Sequence, residues 1–278
     1  MTRRHQIAAR LAGFGDVRAI LSAMKNIALM ELRALAGLVE HQRRALATVE
    51  RAAADFLSFH APPGETTVAR RVCVVIGSER GFCGEFNEAL VRAARAARAR
   101  GELALLVGGR LAERMGAALD DDRALPGASV AEELPAVLER VAERLERAQR
   151  EASDAPLHVS VVYQDPDGGG PLTRIVAPLP VPLKPLRPAP YPPQLTLAPQ
   201  RFFAALLDQA LLLALQEAFS VSLSAENRRR LEHMEGALRR LDDITGNLAR
   251  RLNASRQEEI TQEIELIMLS AEALEAPE

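Results

Sequence analysis

The sequence contains no tryptophan, two tyrosines and two cysteines, and across 278 residues its formal net charge is only −2. Each scarcity removes a class of function. Without an aromatic platform for stacking bases, and without the Lys/Arg surplus that phosphate contacts need, no nucleic-acid binding is expected. Two cysteines can build neither a disulfide framework nor a four-thiolate metal site. The opening residues, MTRRHQIAARLAGFGDVRAI, hold charge but no uninterrupted apolar core and no cleavage site, so no secretory leader is expected. Nor does any run approach the roughly 18 apolar residues of a spanning helix. The richest, LLDQALLLALQEAF, is interrupted by Asp208, Gln209, Gln216 and Glu217. The expected location is the cytosol, unless a partner holds the chain at a membrane.

Proline is unevenly absent, and its gaps mark the helices. Residues 3 to 58 have none. Read every 3.5 residues, they carry an apolar seam of Ile7, Leu11, Phe14, Val17, Leu21, Met24, Ala28, Leu32, Leu35, Leu38, Leu46, Val49, Ala53 and Phe56, with Gln42 its one polar member. A seam kept this long predicts a supercoiled helix, stopped by APPG at 61–64. Between Pro199 and Pro277 proline is again absent. A second seam runs Leu231, Met234, Leu238, Leu241, Thr245, Leu248 and Leu252; the next step, to Ile260, is eight residues, so the seam slips there and resumes through Ile264, Ile267, Ala271 and Leu274. A helix of some 75 residues would reach about 110 Å, beyond any compact domain of this mass. Two such helices, each apolar along one stripe, are expected to bury those stripes against each other as an antiparallel pair.

The middle has another texture. RRVCVVIG, LALLVGG, PLHVSVVYQD and LTRIVAPLPV read as strands; FNEALVRAARAARARG, LAERMGAAL and VAEELPAVLERVAERLERAQREA read as helices. Alternating strands and helices predict a Rossmann-like α/β domain with a largely parallel sheet and one antiparallel edge. A stiff linker, PLPVPLKPLRPAPYPPQLTLAP, follows and holds nine of the seventeen prolines. The expected organisation is an N-terminal coiled-coil helix over 1–60, the α/β domain with its linker over 70–198, and a C-terminal coiled-coil helix over 199–276.

Candidate chemistry concentrates in VCVVIGSERGFCGEFN, residues 72–87, whose loop falls at the carboxyl end of the first strand, where α/β folds bind ligands. A phosphate cradle needs G-x-G-x-x-G or a loop ending Gly-Lys-Ser/Thr. Glycines at 77, 81 and 84, with no lysine nearby, fit neither. A nucleophilic Cys83 needs a base, and His5, His41, His60, His158 and His233 all lie elsewhere in the chain. The alternative is a packed thiol in a tight strand-to-helix turn allowed by Gly81 and Gly84. PDGGGP (166–171) reads as a turn, DDDR (120–123) as solvated acids rather than a metal cluster, and the arginines of ENRRRLEH (226–233) as an exposed face. Met24 reads as a core filler and Lys25 as a snorkelling neighbour. No cofactor, metal or small-molecule substrate is expected. The segment NASRQEEITQEIELIMLSAEAL (253–274) is different. Its second half is apolar on nearly every side, and such a helix is buried on every side. Burial inside a partner and burial in the chain's own α/β domain both satisfy that requirement.

Three blocks, in order, resemble the γ subunit of F-type ATP synthases. AILSAMKNIALMELRAL is similar to the family's N-terminal block through Ala23, Met24, Lys25 and Arg33. SERGFCGEFN is similar to its Ser-Asp-Arg/Lys-Gly-Leu-Cys-Gly segment through Ser78, Arg80, Gly81, Cys83, Gly84, Phe86 and Asn87. NASRQEEITQEI matches its C-terminal signature through Asn253, Arg256, Gln257, Ile260, Thr261, Gln262 and Glu263. SAENRRRLEHMEGALRRLDD keeps Glu226, Arg230, Met234 and Ala237 of a fourth. Glu79 and Phe82 depart from the family's aspartate and leucine. Leu266 replaces an acid, and Ser270–Ala271 a Gly-Ala pair, which suggests a divergent branch of alternative-operon type.

The resemblance implies a shaft turning within three α and three β subunits, its α/β domain docked on ε and the c-ring at the cytoplasmic face of a bacterial inner membrane. It implies partner contacts at Met24, Lys25, Arg33, Arg256, Gln257, Thr261, Glu263, Ile264, Ile267 and Met268. Ser78, Arg80, Gly81, Cys83 and Gly84 become a structural signature, with catalysis and nucleotide binding left to other subunits. The rival readings are a nucleotide-binding α/β enzyme with helical extensions, using Cys83 or the loop glycines, and a coiled-coil adaptor.

Overall fold

The structure, a computed structural model, describes residues 3–60, 70–118, 123–152, 157–166, 170–178 and 191–275, with side chains described from Arg4 to Met268 within those ranges. APPG, the three aspartates at 120–122, the centre of PDGGGP and linker residues 179–190 lie outside them, as do the side chains of Ala271 and Leu274. The chain divides into two units, one of residues 1–27 with 231–278 and one of residues 28–230.

The second unit is built on a five-stranded sheet, order β3-β2-β1-β4-β5. Its strands are β1 (Arg70–Ile76), β2 (Leu103–Val107), β3 (Ala124–Leu125), β4 (Leu157–Gln164) and β5 (Pro171–Ala177). All pairings are parallel except β4 with β5, where Val161 faces Arg174. β1 is buried from Val72 to Ile76 because helices cover both faces of the sheet, which is why it reads as a continuous apolar run. On one face α2 (Phe86–Ala99) sets down Phe86, Leu90, Ala94 and Ala97 against Cys73, Val75 and Leu106, with Leu111 and Ala112 of α3 (Gly109–Arg114) beside them.

On the other face α4 (Leu134–Glu151) presents Leu134, Val137, Val141 and Leu145, a stripe at helical spacing, to Val74, Leu105 and Val161. Each such side chain contributes about 1.5–3 kcal/mol of burial. The same cluster takes in Leu35 and Leu46 of α1 (Arg3–Leu57) and Ala214, Leu215, Ala218 and Phe219 of α5 (Pro199–Glu275). Phe56 stacks on Phe203, with ring centres 5.2 Å apart. α5 does contain one window long and apolar enough to cross a membrane, contrary to the sequence reading. Length and composition alone produce it, and the helix's apolar residues from Ala210 to Leu223 largely belong to this core.

The strand and helix assignments hold, with shifts at the ends. LAERMGAAL is helical only to Arg114, because Gly116 turns the chain at φ 65°. β3 has no sequence signal, being two residues long. β5 stops at Ala177, before the proline run. In α1 the covered position is Val39 rather than Leu38, which is 37% exposed.

In the first unit the start of α1 runs antiparallel to the end of α5. Lys25 bonds Glu235 at 2.9 Å, Arg18 bonds Asp242 at 2.9 Å and Arg4 bonds Glu259 at 3.2 Å, so partner numbers fall on one helix as they rise on the other. Such exposed pairs add little stability and chiefly record register. Met234 is fully buried and Leu241 nearly so. One expectation is corrected: the seam does not slip after Leu252. It continues in heptad step through Ser255 and Glu259, both partly covered, while Ile260 faces out. The polar Ser and Glu hide the register from an apolar count.

Candidate functional site

The loop after β1 is a knot of hydrogen bonds, and beside it lies an open cleft of about 420 Å³ lined by Ser78, Gly81 to Gly84 and Asn87 with Arg110, Glu113 and Arg114. Ser78 is fully buried; its N–H donates to Asn87 Oδ1 at 3.0 Å, and Asn87 Nδ2 donates back to Ser78 Oγ at 2.7 Å. The Cys83 thiol donates to the same Oγ at 3.3 Å. Gly77 must be glycine, since a Cβ there would sit 2.4 Å from Leu111 Cβ. Gly84 turns the chain at φ 61° into α2, and Phe82, at φ 63°, is held outward and 57% exposed.

Glu79 ties the loop to two neighbouring turns. Its Oε2 accepts the backbone N–H of Gly109, which opens α3, and that of Gly127, both at 2.7 Å. The chain's own carboxylate thus holds the start of α3 and the loop after β3 against the loop that follows β1.

The thiols lose their chemistry. Burial is the largest influence on both Cys73 and Cys83 and pushes each thiol up, away from thiolate. The Cys83 thiol is hydrogen-bonded to the Ser78 hydroxyl and the Arg80 carbonyl, neither of them a base, and the Glu226 charge pushes it further up while Arg230 opposes that. In the native protein near pH 7.5, neither cysteine is expected to label with iodoacetamide until denaturant opens the domain; mass spectrometry of the alkylated protein checks this. Among the described residues there is no cluster of three His, Cys, Asp or Glu side chains poised for a metal.

The same loop is clasped to α5. Glu226 and Arg230 form a salt bridge one helical turn apart, 3% and 5% exposed respectively. Arg230 also donates to Asn227 Oδ1 at 2.8 Å and to the Gly81 carbonyl at 3.4 Å, while the Glu226 carboxylate accepts from the backbone of Glu79 and Arg80. The expectation that ENRRRLEH presents an exposed face therefore holds for Arg228 and Arg229 and fails for Arg230. Three adjacent arginines point in three directions around a helix, and one must face the domain. Burial pushes Glu226 up, opposed by Arg230 and by those backbone donors.

The proposed contact residues lie along the middle of α1 and near the end of α5. Met24 is half-buried in the seam, and Lys25 is half-exposed and tied to Glu235. Arg33, Arg256, Gln257, Thr261 and Glu263 are exposed, with the Thr261 hydroxyl donating to the Gln257 carbonyl at 2.9 Å. Ile264, Leu266, Ile267 and Met268 are 52%, 67%, 66% and 60% exposed, with Ile260 at 47%. A run of large apolar side chains left in water marks a binding surface.

A family model for ATP synthase matches residues 3–274. The chain belongs to the ATP synthase γ-subunit family. As a γ subunit it is a non-catalytic, central-stalk component of a rotary ATP synthase. Among curated proteins none matches the sequence. Solved structures do. A chain of the Euglena gracilis mitochondrial ATP synthase, OSCP/F1/c-ring in rotational state 3, is 16% identical with a TM-score of 0.59, over 98% of this γ subunit and 94% of that chain. Another from the same organism's rotor, rotational state 1, is 15% identical with a TM-score of 0.56, over 92% and 98%. A chain of the Tetrahymena thermophila central stalk/c-ring is 15% identical with a TM-score of 0.53, over 78% and 99%. At such identities these likenesses establish the fold.

Proposed function

We propose that this γ subunit transmits torque between a membrane c-ring and the catalytic β subunits of a ring of three α and three β chains. The observation that carries the reading is the exposed apolar run at the end of α5, from Ile260 to Met268. Water is a costly neighbour for such a surface, and a sleeve of apolar loops would cover it without fixing its rotational registry. Arg256 and Gln257, exposed one to two turns earlier, would touch a loop of β as the asymmetric shaft opens and closes a catalytic site. Met24, Lys25 and Arg33 would face the carboxyl-terminal lever of β, with Thr261 and Glu263 completing the contact. The α/β domain would dock on ε and the c-ring. The complex would be peripheral, at the cytoplasmic face of a bacterial inner membrane.

Reconstitution tests this. Head α and β subunits from the same organism should regain ATPase activity when the chain is added, while the chain alone has none; activity indifferent to the chain refutes the reading. Arg256→Ala with Gln257→Ala should lower turnover per assembled complex by about tenfold, a barrier change of ~1.4 kcal/mol. Failed assembly with unchanged per-complex turnover would contradict the contact assignment.

A further inference from the structure

We infer that Glu217 is a torsional key. It is a positioning residue that fixes the α/β domain to both long helices, so that the domain and the helices turn together. The inference rests on the rotor reading above. The apolar contact beneath α5, through Ala214, Leu215, Ala218, Phe219, Val221 and Leu223, supplies burial but no directional bond. Apolar burial is non-directional and fixes no angle by itself.

Charge supplies the direction. The Glu217 carboxylate is 9% exposed and divides its two oxygens between different elements of the fold. Oε1 accepts from Arg43 Nε of α1 at 3.0 Å, and Oε2 from Arg174 Nη1 of β5 at 2.6 Å. Arg174 reaches back to α1 through Glu50, at 3.4 Å. Four alternating charges thus join α1, β5 and α5. β5 is the antiparallel edge strand, and Val176 is its one buried side chain, so packing holds it weakly. Arg174 lies opposite Val161 in the strand register and fastens that edge to the helices. Charge-assisted hydrogen bonds are short and angle-dependent. Rotation of α5 against the sheet would break both bonds of Glu217 and strand its carboxylate away from water.

The test is made in the whole enzyme reconstituted into liposomes, measuring ions transported per ATP hydrolysed. Glu217→Gln should lower that ratio by about threefold to tenfold, with ATPase turnover per assembled complex within about twofold of the parent. Because Glu217→Gln could also loosen the fold, a second variant, Arg174→Cys with Glu217→Cys, is measured before and after bridging by a short bis-maleimide. The bridged enzyme should recover transport that the unbridged one lacks. Because a cross-link can itself stabilise a fold, urea midpoints are measured before and after bridging; transport recovered by a change in midpoint alone would mean a repaired fold and overturn the inference. Parental coupling in Glu217→Gln, or no recovery on bridging, overturns the inference. Failure of the parent chain to support ATPase or transport would instead sink the rotor reading.

Discussion

Replacing Arg230 with methionine is expected to destabilise the second unit by about 3–5 kcal/mol, the cost of stranding a buried charge. Glu226 is only 3% exposed, and Arg230 is its ion-pair partner one turn along α5. Methionine fills similar volume, so the loss isolates charge from packing. The deficit should depend on pH with a definite sign. Burial holds the Glu226 carboxyl above its ordinary 4.5, and removing Arg230 raises it further. A group raised in the folded state binds its proton more tightly there, so its penalty shrinks as pH falls through that raised value. Urea unfolding at pH 8 and pH 5 should show the variant closer to the parent at pH 5. A second variant, Glu226→Gln with Arg230→Met, should regain much of the loss at pH 8. A gap that is independent of pH, or no gain from the double variant, would show that the clasp is packing rather than charge.

Replacing Ile264 and Met268 with serine should have the opposite profile. Both side chains are more than half exposed, so the isolated chain should unfold at an unchanged denaturant midpoint. Assembly should suffer instead. If a partner sleeve buries both, the loss is about 3–6 kcal/mol at 1.5–3 kcal/mol per side chain, or a hundredfold or more in association. Titration of the variant into α and β subunits, followed by ATPase recovery, measures it. Unchanged association would mean that the run is not buried in the complex. A fall in the isolated chain's stability of the same size would place it in the chain's own core.

Much of the fold was legible because it is written in periodicity. β1 is apolar at every interior position, and α4 repeats Leu and Val at helical spacing, so neither needs tertiary knowledge to be recognised. Proline's absence from the interiors of both long helices and its concentration after β5 set the boundaries. What escaped has physical reasons. β3 is too short to have a pattern, and the heptad step after Leu252 is carried by Ser255 and Glu259, whose polarity conceals it. The roles of Glu79 and Arg230 were not readable, because each is a charged residue whose partners lie far along the chain, at Gly109 and Gly127 for one and at Gly81 for the other. The motif around Ser78 was visible as a pattern; the mutual bonds of Ser78, Asn87 and Cys83 that hold the turn were not.

Rotation itself is the most direct measurement of the central claim. With the α and β head immobilised and a bead fixed to the α/β domain through an engineered surface cysteine, ATP should drive the bead in one sense, in steps of a third of a turn. A head that hydrolyses ATP at the full rate while the bead only diffuses about a fixed angle would contradict the account.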